Sequence, residues 1–126
     1  MQVVFAIAAG GAVGALARHF LNSGVAHFMG TSFPWGIFVA NILGSFLMGV
    51  MISTFAHLGN PSQALRAFLT IGMLGAFTTF STFSLDSVTL IERGSYGPAA
   101  FYIIGSVALA LAGLVAGMAL MRAVLP

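Results

Sequence analysis

The chain has 126 residues, 60% of them hydrophobic and only 5% charged, with a net charge of +2 and no cysteine. A soluble domain carries roughly 25% charged residues; here there is too little polar surface to cover a globule in water, and the chain reads as a membrane protein. The lack of cysteine excludes a disulfide framework, a thiolate metal site and a cysteine nucleophile. A charge set by four arginines against two acids gives no basis for binding nucleic acid.

Four segments are long enough to cross a bilayer, which takes about 20 mostly apolar residues. The first runs from Val3 to Leu21 and ends at Asn22-Ser23-Gly24. It lacks a basic leader and continues into a full span, so it is read as a span and not as a cleaved signal. Arg18 lies late in it; a guanidinium there snorkels to the interface, pairs, or lines a watery vestibule. The second span follows Phe33-Pro34-Trp35-Gly36 and reaches His57, with Trp35 as an interfacial anchor. Its one strongly polar deep residue, Asn41, serves either as glue between helices or as a donor to an anion. After Gly59-Asn60-Pro61-Ser62 the third span extends from Gln63 to Arg93. Gly94 to Pro98 make the last turn, and the fourth span occupies Ala99 to Met121. Tyr102 and Ser106, at i and i+4, share a face of it. Short loops force antiparallel neighbours. The expectation is one all-α transmembrane domain over residues 1–126, with four helices, the third broken at its centre.

That break is expected in Gly72-Met73-Leu74-Gly75-Ala76-Phe77-Thr78-Thr79-Phe80-Ser81-Thr82-Phe83-Ser84. Gly, Thr and Ser loosen a helix, and at membrane depth each freed backbone group needs a partner. Helical winding from Thr79 to Ser84 would set Phe80 with Phe83, Thr79 with Thr82 and Ser81 with Ser84. An aromatic ridge would then lie beside a hydroxyl track. One turn on stands Asp86, functional or paired by default; Glu92 beside Arg93 reads as a solvated boundary pair. His19, His27 and His57 fall near span ends without metal-site spacing. No Walker loop, Ser-His-Asp order or zincin spacing is present, so enzyme chemistry has no residues to run on.

Gly10/Gly14, Ala40/Gly44, Ser45/Gly49 and Gly113/Gly117 are small-xxx-small pairs, which favour close helix packing within or between subunits. Arg66 and Arg122 lie toward the side of the termini, Arg18 and Arg93 toward the other. That balance gives the positive-inside rule nothing to act on. Insertion in both orientations would show this, as would one orientation set by other features.

Together these residues resemble the CrcB/Fluc family of fluoride channels, along essentially the whole chain. The most specific match is Gly75-x-x-Thr78-Thr79-Phe80-Ser81-Thr82-Phe83-Ser84, supported by Gly11-x-x-Gly14-Ala15-x-x-Arg18 and Val39-Ala40-Asn41-x-x-Gly44. The resemblance implies a dual-topology antiparallel homodimer in a bacterial-type inner membrane, with two fluoride pores. It implies a structural, non-transported Na+ at the dimer centre, held by the carbonyls of Gly75 and Thr78. It assigns Asn41, Phe80, Phe83, Ser81, Ser84, Thr82, Tyr102 and Ser106 to the pore and Arg18 to the vestibule. Two positions depart from it: Ala110 stands where some members continue the hydroxyl track, and Asp86 where Glu is frequent.

The expected activity is passive exit of fluoride. Asn and hydroxyl donors replace the water of a small, tightly hydrated anion, and phenylalanine ring edges carry positive quadrupole character. The chief rival is a four-helix drug exporter, for which Asp86 is the sole candidate carboxylate; an inert structural subunit is a lesser one.

Overall fold

The computed structural model describes residues 1–126 as an all-helical chain in which four stretches are long and apolar enough to cross a membrane. Helix α1 is Gln2–Met29 and α2 is Trp35–Leu58. The third stretch, Gln63–Glu92, divides into α3 (residues 63–77) and α4 (Phe80–Glu92). Helix α5 is Tyr96–Val124.

Two helices are longer than the apolar pattern predicts. Helix α1 continues past Asn22-Ser23-Gly24 to Met29 and stops at Gly30, whose φ of 82° lies in the left-handed region that glycine adopts without steric cost. Arg18 is therefore about 16 Å from the end of its helix, at 1.5 Å per residue, and not one turn from it. Helix α5 begins before Pro98, at Tyr96. A proline in a first turn breaks no bond, because that amide has no intrahelical acceptor.

The helices associate as two close pairs. In the first, α1 lies against α3 through Gly10, Gly14 and Gly72. A Cβ on Gly14 would overlap the backbone carbonyl of Met73, and one on Gly10 would overlap that of Phe68. In the second pair, α2 lies against α5: a Cβ on Gly49 would strike the carbonyl of Leu114, and one on Gly117 the carbonyl of Phe46. Ser53 Oγ donates to Met118 O at 3.2 Å along the same seam. These small-residue pairs thus close the subunit itself, where lipid offers no hydrophobic drive and backbone approach supplies the attraction. Between the pairs, Gly44 of α2 leaves room for Thr78 and Phe77.

Trp35 is more than an interfacial anchor. Its ring lies 4.5 Å from that of Phe33 and 5.9 Å from that of Phe38, and Phe33, Phe38 and Phe101 continue the cluster to Tyr102, which is fully buried. Arg93, read as the partner of Glu92, instead donates to the carbonyl of Ser32 and ties the α4 end to the α1–α2 loop.

The third stretch carries a feature the pattern does not reveal: Ala67–Leu74 is π-helical. Wide winding of this kind rotates the faces that follow and is frequent near functional sites. The break itself falls at Thr78-Thr79 and not at the glycines. Thr78 (φ −88°, ψ 154°) and Thr79 (φ −151°, ψ 121°) are extended, a region β-branched residues tolerate well. Gly72 and Gly75 keep ordinary φ, and Gly72 serves the contact with α1.

The two-pair packing makes a direct prediction. Gly14→Val should lower the thermal midpoint of purified protein by several degrees, since over-packing against backbone costs about 1–3 kcal/mol or more. Gly11→Val, where a Cβ meets nothing within 4 Å, should leave it nearly unchanged.

Candidate functional site

The break releases backbone groups that an unbroken helix would pair internally, and side chains take up four of them, at Thr78 O, Thr79 N, Thr79 O and Thr82 N. Thr79 N–H, which would have bonded the carbonyl of Gly75, donates instead to Asn41 Oδ1 at 2.7 Å. Asn41 Nδ2 donates in turn to Thr79 O at 3.2 Å. The amide of Asn41 thus clamps one residue of the third stretch from both sides, and its orientation is set by a backbone N–H that can only donate. One Nδ2 hydrogen is left over. Asn41 is glue, and it keeps a free donor as well.

Thr79 also starts the next helix. Its Oγ1 accepts from Thr82 N at 3.2 Å, the side-chain cap that threonine supplies at a helix start. Its hydroxyl donates to Thr82 Oγ1 at 3.1 Å. Because Thr82 N is engaged this way, the carbonyl of Thr78 has no helical donor; Arg18 Nη1 reaches it at 3.5 Å. Arg18 therefore lies at the depth of the break, with a long contact to it. The extended pair deprives the carbonyls from Gly75 to Thr78 of their i+4 amides; of these, Gly75 is an exposed residue and Thr78 a half-buried one.

Beside the break opens a cavity of about 240 Å³ lined by Asn41, Ser45, Thr78, Thr79, Phe80, Phe83, Ser106 and Ala110. Phe80 is 76% exposed, and its ring centroid is 5.6 Å from that of Phe83. Phe83 in turn packs 5.2 Å from Tyr102. Ser106 Oγ is buried and has no hydrogen-bond partner, an unusual state for a buried hydroxyl. No charged side chain lines this cavity.

The residues expected to form one pore divide between several surroundings. Asn41, Phe80, Phe83 and Ser106 line the cavity together. Thr82 and Asp86 line a second cavity of about 210 Å³, with Asn22 and Thr31 from the α1 end and the loop after it. Tyr102 stands buried and donates its hydroxyl to Asp86 Oδ2 at 3.1 Å, so Asp86 is paired. Ser81 and Ser84 are exposed, and Ser84 Oγ turns back to Phe80 O at 3.0 Å. The rows Phe80/Phe83 and Thr79/Thr82 are present as contacts, although Thr79 caps the helix and does not belong to it. Ser45 was legible only as a small residue beside Gly49; its place one turn after Asn41 on the same face was the signal of a cavity role.

The family model described as CrcB-like protein, Camphor Resistance (CrcB), matches residues 5–118. The chain is 49% identical over 122 residues to the fluoride-specific ion channel FluC of Rhodospirillum centenum, with 97% of each chain covered. It is 52% identical over 115 residues to the protein of that name from Rhodopseudomonas palustris, covering 91% of this chain and 93% of the relative. Against that from Cereibacter sphaeroides, identity is 54% over 116 residues, covering 92% and 91%. With the match running through all four spans and the break, this multi-pass membrane chain belongs to the CrcB family.

Proposed function

We propose that the chain is a fluoride-specific ion channel through which cytoplasmic fluoride leaves the cell passively, lowering its concentration and toxicity. The observation that carries this reading is the clamped break opening onto an uncharged cavity edged with phenylalanines, hydroxyls and a free amide N–H. Fluoride accepts several short hydrogen bonds, and neutral donors bind it without the tight hold of a fixed cation, so the ion can leave again. The names of the relatives, which are fluoride-specific channels, support the same ion. An inside-negative potential drives an anion outward by about 2.3 kcal/mol per 100 mV, so no energy-coupling site is required.

The working unit is an antiparallel homodimer of subunits inserted in both orientations in the inner membrane. Two features favour it: the balanced arginines, and a break whose Phe80, Ser81 and Ser84 face outward. The carbonyls of Gly75 and Thr78 would suit a structural Na+ shared by two copies: both are hard oxygen donors without a helical partner, and that of Thr78 has only the long contact from Arg18. Such an ion supplies a fixed positive charge there. The chain's own residues do the rest: Asn41 keeps Thr79 extended, Thr79 caps α4, and Arg18 bonds Thr78.

Liposomes holding purified protein should release fluoride rapidly only when a K+ ionophore carries compensating charge, and should retain chloride; equal chloride efflux would defeat the selectivity. Replacing Na+ by a bulky organic cation throughout purification should cut that flux at least tenfold. Asn41→Ala should cut it about a hundredfold, with a lower thermal midpoint, because Thr79 N–H is left unpaired at a cost of about 1–3 kcal/mol. Because the chain has no native cysteine, a single cysteine at Gly59 tests orientation. An impermeant thiol reagent should label about half of it from either face of the membrane.

A further inference from the structure

Six hydroxyls in the membrane-spanning stretches bond the carbonyl one turn back. Thr54, Thr70, Thr78, Ser84, Ser87 and Thr89 all do so, at 2.7–3.1 Å. This is the ordinary resting place of Ser and Thr in a helix. Two serines on the α2–α5 wall of the cavity do not follow it: Ser106, buried without a partner, and Ser45, whose hydroxyl takes no backbone carbonyl. Both lie on the same cavity as Asn41.

The register of α2 against α5 places them. Ser53 bonds Met118, and Gly49 abuts the backbone of Leu114, each a separation of 65 residues along parallel helices. With that offset Asn41 stands level with Ser106, and Ser45 level with Ala110. At the first level both helices present a polar group. At the second, α5 offers only a methyl and α2 offers a hydroxyl.

We propose that Ser45 is an anion-binding residue of the conduction path, supplying from α2 the hydroxyl that Ala110 cannot supply from α5. Ser45, Ser106 and the unused N–H of Asn41 then form a two-level donor wall. A small anion crossing from one level to the next exchanges one donor for another and stays partly coordinated. This rests on the fluoride reading above.

The test is ionophore-dependent fluoride efflux from liposomes, with wild-type protein measured first in the same preparation. Ser45→Ala should lower the rate about tenfold, in line with losing one hydrogen bond to a charged group, and should raise the half-saturating fluoride concentration. Gel filtration should show an unchanged assembly. Adding Ala110→Ser to that variant should return the rate to within about threefold of wild type, an effect that a merely structural role for Ser45 would not produce. A Ser45→Ala rate and half-saturation equal to wild type would overturn the inference and leave the channel reading intact. Loss without rescue by Ala110→Ser would overturn it too, assigning the defect to packing. Wild-type protein that passes no fluoride would remove both readings together.

Discussion

At membrane depth no water is available to a backbone amide, so a helix can open only where side chains take over its hydrogen bonds. Everything distinctive in this chain follows from meeting that constraint at Thr78-Thr79. Asn41 accepts from and donates to Thr79, Thr79 caps the helix that follows, and Arg18 attends to the carbonyl of Thr78. Each partner comes from a different direction: α2, the break itself and α1. The break is therefore specified by tertiary structure and not by local weakness of the helix.

Those partners can reach only because the helices lie unusually close. Glycines at 10, 14 and 72 bring α1 onto α3, and glycines at 49 and 117 bring α2 onto α5. Gly44 then allows α2 to stand over the break, three residues after Asn41 and on the adjoining row of the same helix face. A Cβ at any of these glycines would overlap the facing helix, so the helices that carry the clamp would have to shift. Packing and site are in this sense one device: the small residues set the distance, and the polar residues use it.

Hydropathy made the four helices legible, and the hydroxyl-rich motif located the break to within a few residues. Helix ends were less so, because Asn22-Ser23-Gly24 weakens a helix without stopping it, while the positive φ of Gly30 does stop it. The glycines drew attention to the wrong residues. Their composition is the same whether they loosen a helix or let another one approach, and only the neighbour decides. Both roles of Asn41 were legible, but its partner was not, since Thr79 is 38 residues away and only the register of α2 against the break joins them. The division of Thr82 and Asp86 from Phe80 and Phe83 depends on the exact rotation of α4 after the extended pair, which a helical projection that begins at Thr79 cannot supply.

The placement of charge separates conduction from coupled transport. Arg18 and Asp86 lie at depth, and each has a polar partner: the Thr78 carbonyl for one, the Tyr102 hydroxyl for the other. Neither lines the cavity beside the break. A proton-coupled exporter needs its carboxylate where the substrate binds, so that protonation and release are linked. Here Asp86 faces a different cavity, and its hydrogen-bond donor is a fully buried tyrosine. The first cavity presents amide and hydroxyl dipoles and phenylalanine rings, with no charged side chain. Dipoles attract an anion without a counter-charge that would trap it, and shallow binding at successive donors is the condition for passing ions quickly.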